Sequence, residues 1–344
     1  MRKKRNRKAP KKLKVLVIFD IPGNLIKDFD LSREDENPDW KVEYHAVEAL
    51  GELGHDVRTL GVFDDPGMII DELKKHPPDI VLNLTEEFNQ RSSYDRNVAG
   101  LLEMLEVPYT GTGPTGLTLC KNKGMTKEIL AYHRIEHPEF AVFPLGASVR
   151  RPKHLHFPLF IKPLKDEASY GISQDSFVED DRAFEERIRF IHERMSQGAI
   201  AEEFIEGREL YVSILGNRRL EVLPFREVIF SKVPEGRPKI STFKAKWDEG
   251  YRERWGIRNR MVRDLPENMV TRIADVCKKV YRVLHIRGCG RIDLRLTKDN
   301  RIFILEANPN PNLSFDDEVA LSAEKANISY KNLIQRLLTL GLRN

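Results

Sequence analysis

The chain has 344 residues, of which 40% are hydrophobic and 32% are charged, and its formal net charge is +4. This length accommodates two or three domains, each with its own core. No apolar run approaches the ~18 residues that a membrane-spanning helix needs, so the sequence excludes proteins that cross a membrane with such helices.

The positive charge is concentrated at the N-terminus. Residues 1–14 contain nine Lys or Arg and no acid, so the rest of the chain carries a net charge of −5. A block of like charge is typical of a solvated arm, and we predict a disordered basic tail over residues 1–12. Loose attachment of this tail to nucleic acid or to an anionic membrane is the alternative.

Two features favour a reduced, cytoplasmic compartment. The basic N-terminal run leads into a short strand, without the apolar segment of a signal peptide. The three cysteines, Cys120, Cys277 and Cys289, have no pair spacing that predicts a disulfide framework.

From residue 13 onward, strands and helices alternate. The predicted strands are 14–19, 55–60 and 79–84, and the predicted helices are 40–53, 66–75 and 95–105. Asp95 is the expected N-cap of the last helix. Because such alternation produces a parallel sheet with right-handed crossovers, we predict an N-terminal Rossmann-like α/β domain over residues 13–116.

After residue 116 the pattern changes to α+β. The next predicted elements are a helix (122–132), a strand (157–162), a helix (180–195) and two strands (199–204 and 209–215). The remainder contains a basic loop (231–258), a helix (267–284), a β-hairpin and two C-terminal helical stretches. We therefore predict two further subdomains, residues 117–210 and 211–344.

The hairpin, residues 291–308, is the most informative segment. Two runs of alternating apolar residues flank Asp299-Asn300, which is a two-residue turn signal. This turn predicts the opposed pairs Arg291–Asn308, Ile292–Ala307, Asp293–Glu306, Leu294–Leu305 and Leu296–Phe303.

The pairing of Asp293 with Glu306 places two carboxylates opposite each other, with Cβ atoms roughly 5 Å apart. A hard divalent cation would remove their repulsion, and the amide oxygen of Asn308 is an acceptable third ligand. Two alternatives remain at this point: Arg291 alone neutralises the pair, or both acids are solvated at a sheet edge.

Two lysines occupy positions suited to phosphate binding. Lys162 ends an apolar strand and precedes a loop of small residues that includes Ser169, so an ammonium, backbone N–H groups and a hydroxyl lie together. Lys123 opens a helix, whose N-terminus favours anions. The alternatives are a strand-end lysine that extends into solvent and an ordinary surface lysine.

An acidic strand turn could bind a nucleoside. Extended backbone beside an apolar side chain, as in Glu202-Glu203-Phe204-Ile205, can pair with a purine edge, and the carboxylate of Glu209 can accept ribose hydroxyls. An ordinary acidic hairpin is the alternative. The sequence contains no GxxxxGK[ST] phosphate loop.

In their order and spacing, these motifs resemble the ATP-grasp superfamily and, within it, the D-alanine–D-alanine ligases. The motifs are Tyr109-Thr-Gly-Thr-Gly113, Lys123, Phe160-Ile-Lys162-Pro, Glu202 to Glu209, Gly290-Arg-Ile-Asp293 and Glu306-Ala-Asn308-Pro-Asn-Pro. The resemblance runs from about residue 79 to the C-terminus. It implies an α/β, ATP-grasp fold in which the N-terminal parallel domain is followed by two α+β subdomains that clasp ATP.

The resemblance also implies roles for individual residues. Three groups of residues would bind ATP. The phosphates would contact Lys123, Lys162 and Ser169, the adenine would contact Glu202, Glu203, Phe204 and Ile205, and the ribose would contact Glu209. Two Mg²⁺ ions, for which Mn²⁺ could substitute, would be bound by Asp293, Glu306 and Asn308. Lys246 would contact the γ-phosphate beneath a lid formed by the basic loop, Arg291 would stabilise the acyl phosphate and tetrahedral intermediate, and the backbone N–H of Asn312 would help form the oxyanion hole.

The substrate side departs from the family pattern. The stretch after the first strand lacks the Gly-Gly-x-Ser-x-Glu motif, and a loop serine is Ala168. Trp247 stands where the family has a tyrosine after the lid lysine, and Asn312 stands where it has a glycine. Asp317 replaces the serine that binds the acceptor carboxylate in the family. Ser314, Asp317 and Trp247 are the candidate substrate contacts.

We therefore predict an ADP-forming, ATP-dependent carboxylate–amine ligase with an altered substrate pocket, acting through an acyl phosphate on small amino-acid or peptide substrates. The alternatives are a true D-alanine–D-alanine ligase of cell-wall synthesis, a non-catalytic ATP-binding scaffold and a phosphotransferase to a hydroxyl. A homodimer is one option for the assembly.

Overall fold

The computed structural model describes residues 12–23, 31, 40–165, 171–234 and 236–343. The chain divides into two compact units: residues 1–110 together with 329–344, and residues 111–328. None of the described helices is long and apolar enough to cross a membrane. Of the predicted basic tail, residues 1–11 lie outside the described residues.

The first unit is built on a three-stranded parallel sheet. Its first elements are β1 (Lys14–Asp20), α1 (Lys41–Glu52), β2 (Asp56–Val62), α2 (Pro66–Lys75), β3 (Ile80–Asn83) and α3 (Asp95–Met104). The strand order is β2-β1-β3, with both neighbours parallel to β1. The central strand is buried from Val15 to Phe19, as expected for a parallel strand covered on both faces. The predicted parallel α/β architecture is confirmed.

The predicted cap of α3 is wrong. The N-cap is Tyr94, and Asp95 is the first helical residue. A single helical turn over Ser92–Tyr94 leads directly into α3, so Asp95 already has helical dihedral angles. Its carboxylate accepts a hydrogen bond from the N–H of Arg96.

The second unit begins with a small antiparallel sheet and its helices. These elements are α4 (Pro114–Lys121), α5 (Lys123–Tyr132), β4 (Phe140–Phe143), β5 (Leu159–Pro163), β6 (Phe177–Val178), α6 (Asp181–Met195) and β7 (Ala199–Glu203). The strand order is β4-β7-β5-β6. Helix α6 packs on this sheet through Phe184, Ile188 and Ile191, which recur at helical spacing and are buried.

A larger antiparallel sheet follows in the same unit. Its elements and those around it are β8 (Arg208–Leu215), β9 (Glu221–Val222), β10 (Arg226–Phe230), α7 (Phe243–Trp247), α8 (Glu249–Trp255), β11 (Ile257–Met261), α9 (Glu267–Val283), β12 (Cys289–Leu296), β13 (Ile302–Asn308) and α10 (Glu318–Lys325). The strand order is β11-β10-β8-β12-β13, with β9 paired to β8. Helix α9 buries Ile273, Cys277 and Val280 against one sheet face, where Ile292 and Leu294 lie.

Residues 231–258, predicted as a basic loop, contain α7, α8 and the start of β11. The loop prediction is wrong because two side chains cap short helices: Thr242 accepts from the N–H of Ala245, and Asp248 accepts from the N–H of Tyr251. Ala245 is buried in a small apolar cluster with Phe230. The overall basic composition therefore conceals an ordered region.

The last helix, α11 (Tyr330–Gly341), belongs to the first unit, where it packs against α1. Its apolar face buries Leu333, Ile334, Leu337 and Leu338. The sequence placed residues 329–344 in the C-terminal subdomain, whereas the structure groups them with residues 1–110.

Candidate active site

The β12–β13 hairpin carries the predicted metal ligands. The confirmed pairs are Arg291–Asn308, Ile292–Ala307 and Asp293–Glu306. The predicted pairs Leu294–Leu305 and Leu296–Phe303 are wrong, because Leu294 faces Ile304 and Leu296 faces Ile302.

The difference arises at the turn, which is longer than the predicted two residues. Thr297 pairs with Arg301, and the N–H of Asn300 donates to the carbonyl of Thr297. Asn300 adopts the left-handed region with φ of 64°, as asparagine readily does. The register is thereby shifted by one residue, and a bulge at Leu305 restores the predicted pairing at Asp293 and Glu306.

Alternate residues of β8 and β12 form a polar face on the large sheet. Across the two strands, the paired residues are Glu209 with Arg295, Tyr211 with Asp293, and Ser213 with Arg291. Because successive side chains of a strand point to opposite faces, these six side chains share the face opposite α9.

One cleft brings together most of the predicted ATP and metal residues. The predicted residues that line this cleft are Lys162, Glu202, Glu203, Phe204, Ile205, Glu209, Lys246, Asp293 and Glu306. Apolar walls are added by Phe160, Ile172, Ile240 and Leu305. The cleft therefore combines an apolar slot with a charged end, which suits a flat ring attached to an anionic group.

Buried lysines surround two acids at the charged end. Helix α5 begins at Lys123 because Asn122 accepts hydrogen bonds from the N–H groups of Gly124 and Met125. The Nζ of Lys123 lies 3.5 Å from Glu306, and the Nζ of Lys162 lies 2.6 Å from Glu202.

The charges in this cluster determine the protonation states of its acids. Burial acts to raise the pKa of Glu306, but Lys123 and Lys162 outweigh burial and lower that pKa to about 2. Burial likewise opposes ionisation of Glu202, and nearby lysines nevertheless keep its pKa below the ordinary value. Both carboxylates are therefore ionised at neutral pH.

Glu209 is held in place by three neighbours. Its Oε1 accepts from the hydroxyl of Ser241 at 2.6 Å and from that of Tyr211 at 3.2 Å, and its Oε2 accepts from Arg295 at 2.7 Å. Arg295 also donates to the carbonyl of Ile205 at 3.1 Å. One guanidinium thus fixes the predicted ribose ligand relative to the predicted adenine strand.

Arg291 makes a two-point contact with Asp293, at 2.8 and 3.0 Å. Its third nitrogen lies 3.3 Å from Glu318, which also accepts from Asn259 at 2.8 Å. Burial raises the pKa of Asp293, and Arg291 offsets this only in part. In this structure Asp293 is buried and paired with Arg291, and Glu306 faces lysines, so the acids are not a solvated pair at the edge.

The remaining predicted residues lie around this cleft. Lys246 is on α7 and lines both the cleft and a second, more basic cavity. Trp247 is 58% exposed and lines only the second of these two cavities. Asn312 accepts from the N–H of Ser314 at 2.7 Å, so its side chain folds back into its own loop. Ser169 lies outside the described residues.

The carboxyl groups of the adjacent residues Asp317 and Glu318 influence each other's ionisation. Burial, together with the neighbouring Glu318, raises the pKa of Asp317 to about 8. Burial acts in the same direction on Glu318, but Asp317 and Arg291 outweigh burial and lower the pKa of Glu318 to about 2. At neutral pH the pair holds one proton, on Asp317.

Three residues of the site were not identified from the sequence. The sequence contained a signal for Arg295, since this residue follows Asp293 by two positions and therefore lies on the same face of the strand. Lys127 also had one, since it lies one helical turn after Lys123. Glu318 had none beyond its position next to Asp317.

The oxygen donors fit a hard divalent cation. Asp293 and Glu306 are directly opposed, and Asn308 lies on the same strand face as Glu306. Within the described part of the chain, no group of three or more His, Cys, Asp or Glu is arranged to hold a metal. A metal here would therefore use two carboxylates, one amide and phosphate oxygens, which is a usual set for Mg²⁺.

Comparison with known proteins identifies the family. The family model described as D-ala D-ala ligase C-terminus matches residues 123–339. The chain belongs to the D-alanine–D-alanine ligase family, within the ATP-grasp superfamily. A D-alanine–D-alanine ligase from Bordetella petrii is 32% identical over 246 residues, 71% of each chain. The uncharacterized protein y4sG from Sinorhizobium fredii is 29% identical over 313 residues, 89% of each chain.

A solved structure supports the fold of this ligase-family chain. The crystal structure of D-alanine–D-alanine ligase from Bacillus anthracis complexed with ATP has a TM-score of 0.74 and 19% identity, and the match covers 96% of this chain and 98% of that chain. This similarity confirms the predicted ATP-grasp fold.

Proposed function

We propose that this protein is an ATP-dependent carboxylate–amine ligase whose substrate pocket differs from that of the D-alanine–D-alanine ligases. The observation that carries the proposal is the single cleft shared by Lys162, Glu209, Lys246, Asp293 and Glu306. Phosphoryl transfer requires positioning and charge neutralisation more than covalent chemistry from the protein, and this set supplies both.

On the ATP side, Phe204 and Ile205 would contact the adenine, Glu209 the ribose, and Lys123 and Lys162 the phosphates. The support is geometric: Arg295 joins the Ile205 carbonyl to Glu209. Asp293, Glu306 and Asn308 would hold Mg²⁺, which neutralises phosphate charge and orients the transferred group.

The reaction has two steps. A carboxylate oxygen of the first substrate attacks the γ-phosphorus, the bond to the bridging oxygen breaks, and ADP leaves. The amine of the second substrate then attacks the acyl carbon, forming C–N, breaking C–O to phosphate and releasing the amine proton. Arg291 and Lys246 would stabilise the negative charge of both transition states.

The acceptor side supports different substrates. At neutral pH Asp317 keeps its proton and Glu318 is ionised, and Arg291 already faces the negative charge of Glu318. A free carboxylate would gain little here, because no serine hydroxyl stands at residue 317. An acceptor whose recognised group is cationic or neutral fits this pair better.

Two measurements test the proposal on the full-length protein. Calorimetry with a non-hydrolysable ATP analogue and Mg²⁺ should show binding, and absence of binding would refute the proposal outright. Phosphate release with Mg-ATP should then require both a carboxylate and an amine from panels of amino acids and dipeptides, with a condensed product detected by mass spectrometry.

The matched variants are in the same hairpin. Asp293→Asn should reduce substrate-dependent phosphate release by roughly 100-fold or more, whereas Asp299→Asn, a change at an exposed turn residue, should leave it unchanged. Phosphate release with D-alanine alone and a D-alanyl-D-alanine product would instead establish the true D-alanine–D-alanine ligase. A stable phosphorylated product without amide would establish phosphotransfer to a hydroxyl.

A further inference from the structure

Lys127 is a fully buried lysine that lies outside the cleft lining and has no role in the steps above. It follows Lys123 by one turn of α5, so both ammonium groups extend from the same helix face. A buried lysine is unusual in a protein unless its charge is paired and hydrogen-bonded. Its position therefore calls for a specific reason.

The ammonium of Lys127 contacts the bulge of β13. It donates to the carbonyl of Ile304 and to that of Leu305, both at 2.9 Å. These two residues are at the point where the pairing register shifts between Asp293 and Leu294. Strand β13 is the edge of its sheet, and the N–H of Ile304 donates to the carbonyl of Glu136 outside the sheet. Lys127 therefore holds two consecutive backbone carbonyls at the irregular point of this edge strand.

The bulge determines which side chains reach the cleft. In a regular strand, Leu305 and Glu306 would point to opposite faces, yet both line the same cleft. The bulge also restores the pairing of Glu306 with Asp293. Whatever holds the bulge therefore holds a predicted metal ligand and an apolar wall of the nucleotide slot.

Lys127 also connects the hairpin to the small sheet. Its Nζ lies 3.3 Å from Glu202 Oε1, and that oxygen makes no hydrogen bond among the described residues. The contact is therefore an ion pair without a hydrogen bond. One side chain thus joins α5, the end of β7 and the bulge of β13.

We infer that Lys127 is a positioning residue that holds the β13 bulge, and through it Glu306, in the geometry that binds the metal–nucleotide complex. The inference rests on the proposed function, since it concerns the same metal site. Substitution of a residue that positions a metal ligand without contacting the metal typically lowers metal affinity by roughly 10- to 100-fold. We expect a loss of that size when the ammonium is removed.

The test measures binding of Mn²⁺ by electron paramagnetic resonance in the presence of a non-hydrolysable ATP analogue. Lys127→Met should bind Mn²⁺ at least tenfold more weakly than the wild type, whereas its affinity for the analogue without metal should change by less. The matched control is Lys153→Met, the same change at an exposed site of the same unit, and it should bind like the wild type. A purely structural role would lower the unfolding temperature without this selective loss.

A second comparison covers the case in which Lys127→Met fails to fold because Glu202 then keeps only one of the two lysines that offset its buried charge. The double variant Lys127→Met/Glu202→Gln has no such charge, and it should bind Mn²⁺ at least tenfold more weakly than Glu202→Gln alone. Equal Mn²⁺ affinity within either comparison would overturn the inference while leaving the proposed function intact. Absence of Mn²⁺–analogue binding by the wild type would refute both.

Discussion

Glu202 is the buried anion on which the lysine cluster depends, and its removal gives a quantitative prediction. It is 2% exposed, with Lys162 at 2.6 Å and Lys127 at 3.3 Å. Breaking a buried ion pair by removing one partner typically destabilises a protein by about 3–5 kcal/mol. Since Glu306 also attracts Lys162, we expect Glu202→Gln to lower the free energy of unfolding by about 3 kcal/mol at pH 6, the lower end of that range.

The loss of unfolding free energy in Glu202→Gln should become smaller as the pH rises. Burial lowers the pKa of Lys127 to about 8 even with Glu202 present, and in the variant this pKa falls further. Burial also acts to lower the pKa of Lys162, but Glu202 and Glu306 keep that pKa above the ordinary value, so it too falls when the Glu202 carboxylate is removed. The folded variant then binds fewer protons than the folded wild type, so the difference in unfolding free energy shrinks as pH rises. We expect the difference to be clearly smaller at pH 9 than at pH 6.

Urea unfolding, followed by circular dichroism at both pH values, measures this difference. The control is Glu203→Gln, the same chemical change one residue along the strand, where the carboxylate pairs with the exposed His156. An exposed pair contributes about 0–1 kcal/mol, so the control should lose no more than that. An equal loss in both variants, or a loss at Glu202 that is independent of pH, would refute the assigned role of the buried carboxylate.

Other residues give three further predictions. Asp293→Asn should reduce Mg²⁺-dependent phosphate release by roughly 100-fold or more, measured at saturating ATP. Tyr281→Phe removes a buried bond to the carbonyl of Gly216 at 2.8 Å and should lower the free energy of unfolding by about 1–3 kcal/mol, with ATP affinity unchanged. Because the pKa of Asp317 is raised from the ordinary value of 3.8 to about 8, the stability contributed by its retained proton is lost as pH rises from about 4 to about 8, and Asp317→Asn should flatten that decline in urea unfolding.

The regular parts of the fold were predictable because local patterns determine them. Helix α2 has the predicted bounds, Pro66–Lys75, since Pro at its start and a regular apolar face are both visible in the sequence. The basic region was not predictable as an ordered region, because its helices depend on capping by Thr242 and Asp248 and on a small cluster around Phe230. Charge composition does not reveal such contacts.

The hairpin shows why the pairing of Asp293 with Glu306 was predicted correctly from a wrong turn. A two-residue turn and the observed longer turn differ by one residue in register, and the bulge at Leu305 removes that difference before the strand reaches Glu306. Nothing in the alternation of apolar residues marks a bulge. Its support comes from Lys127, which is 177 residues away in sequence from Ile304, so only the tertiary structure reveals it.

The two sides of the site differ in how far sequence can define them. ATP and Mg²⁺ demand fixed chemistry, namely cations for phosphates and hard oxygens for the metal, and residues of those types at the expected spacing meet in one cleft. The acceptor makes no such general demand. At Asp317 the sequence shows a carboxylate, yet burial and Glu318 keep it protonated at neutral pH, so it acts as a neutral hydrogen-bonding group. Under the proposed function, the charge that this position presents to an acceptor therefore depends on a proton that Asp317 retains beside Glu318, which residue types alone do not specify.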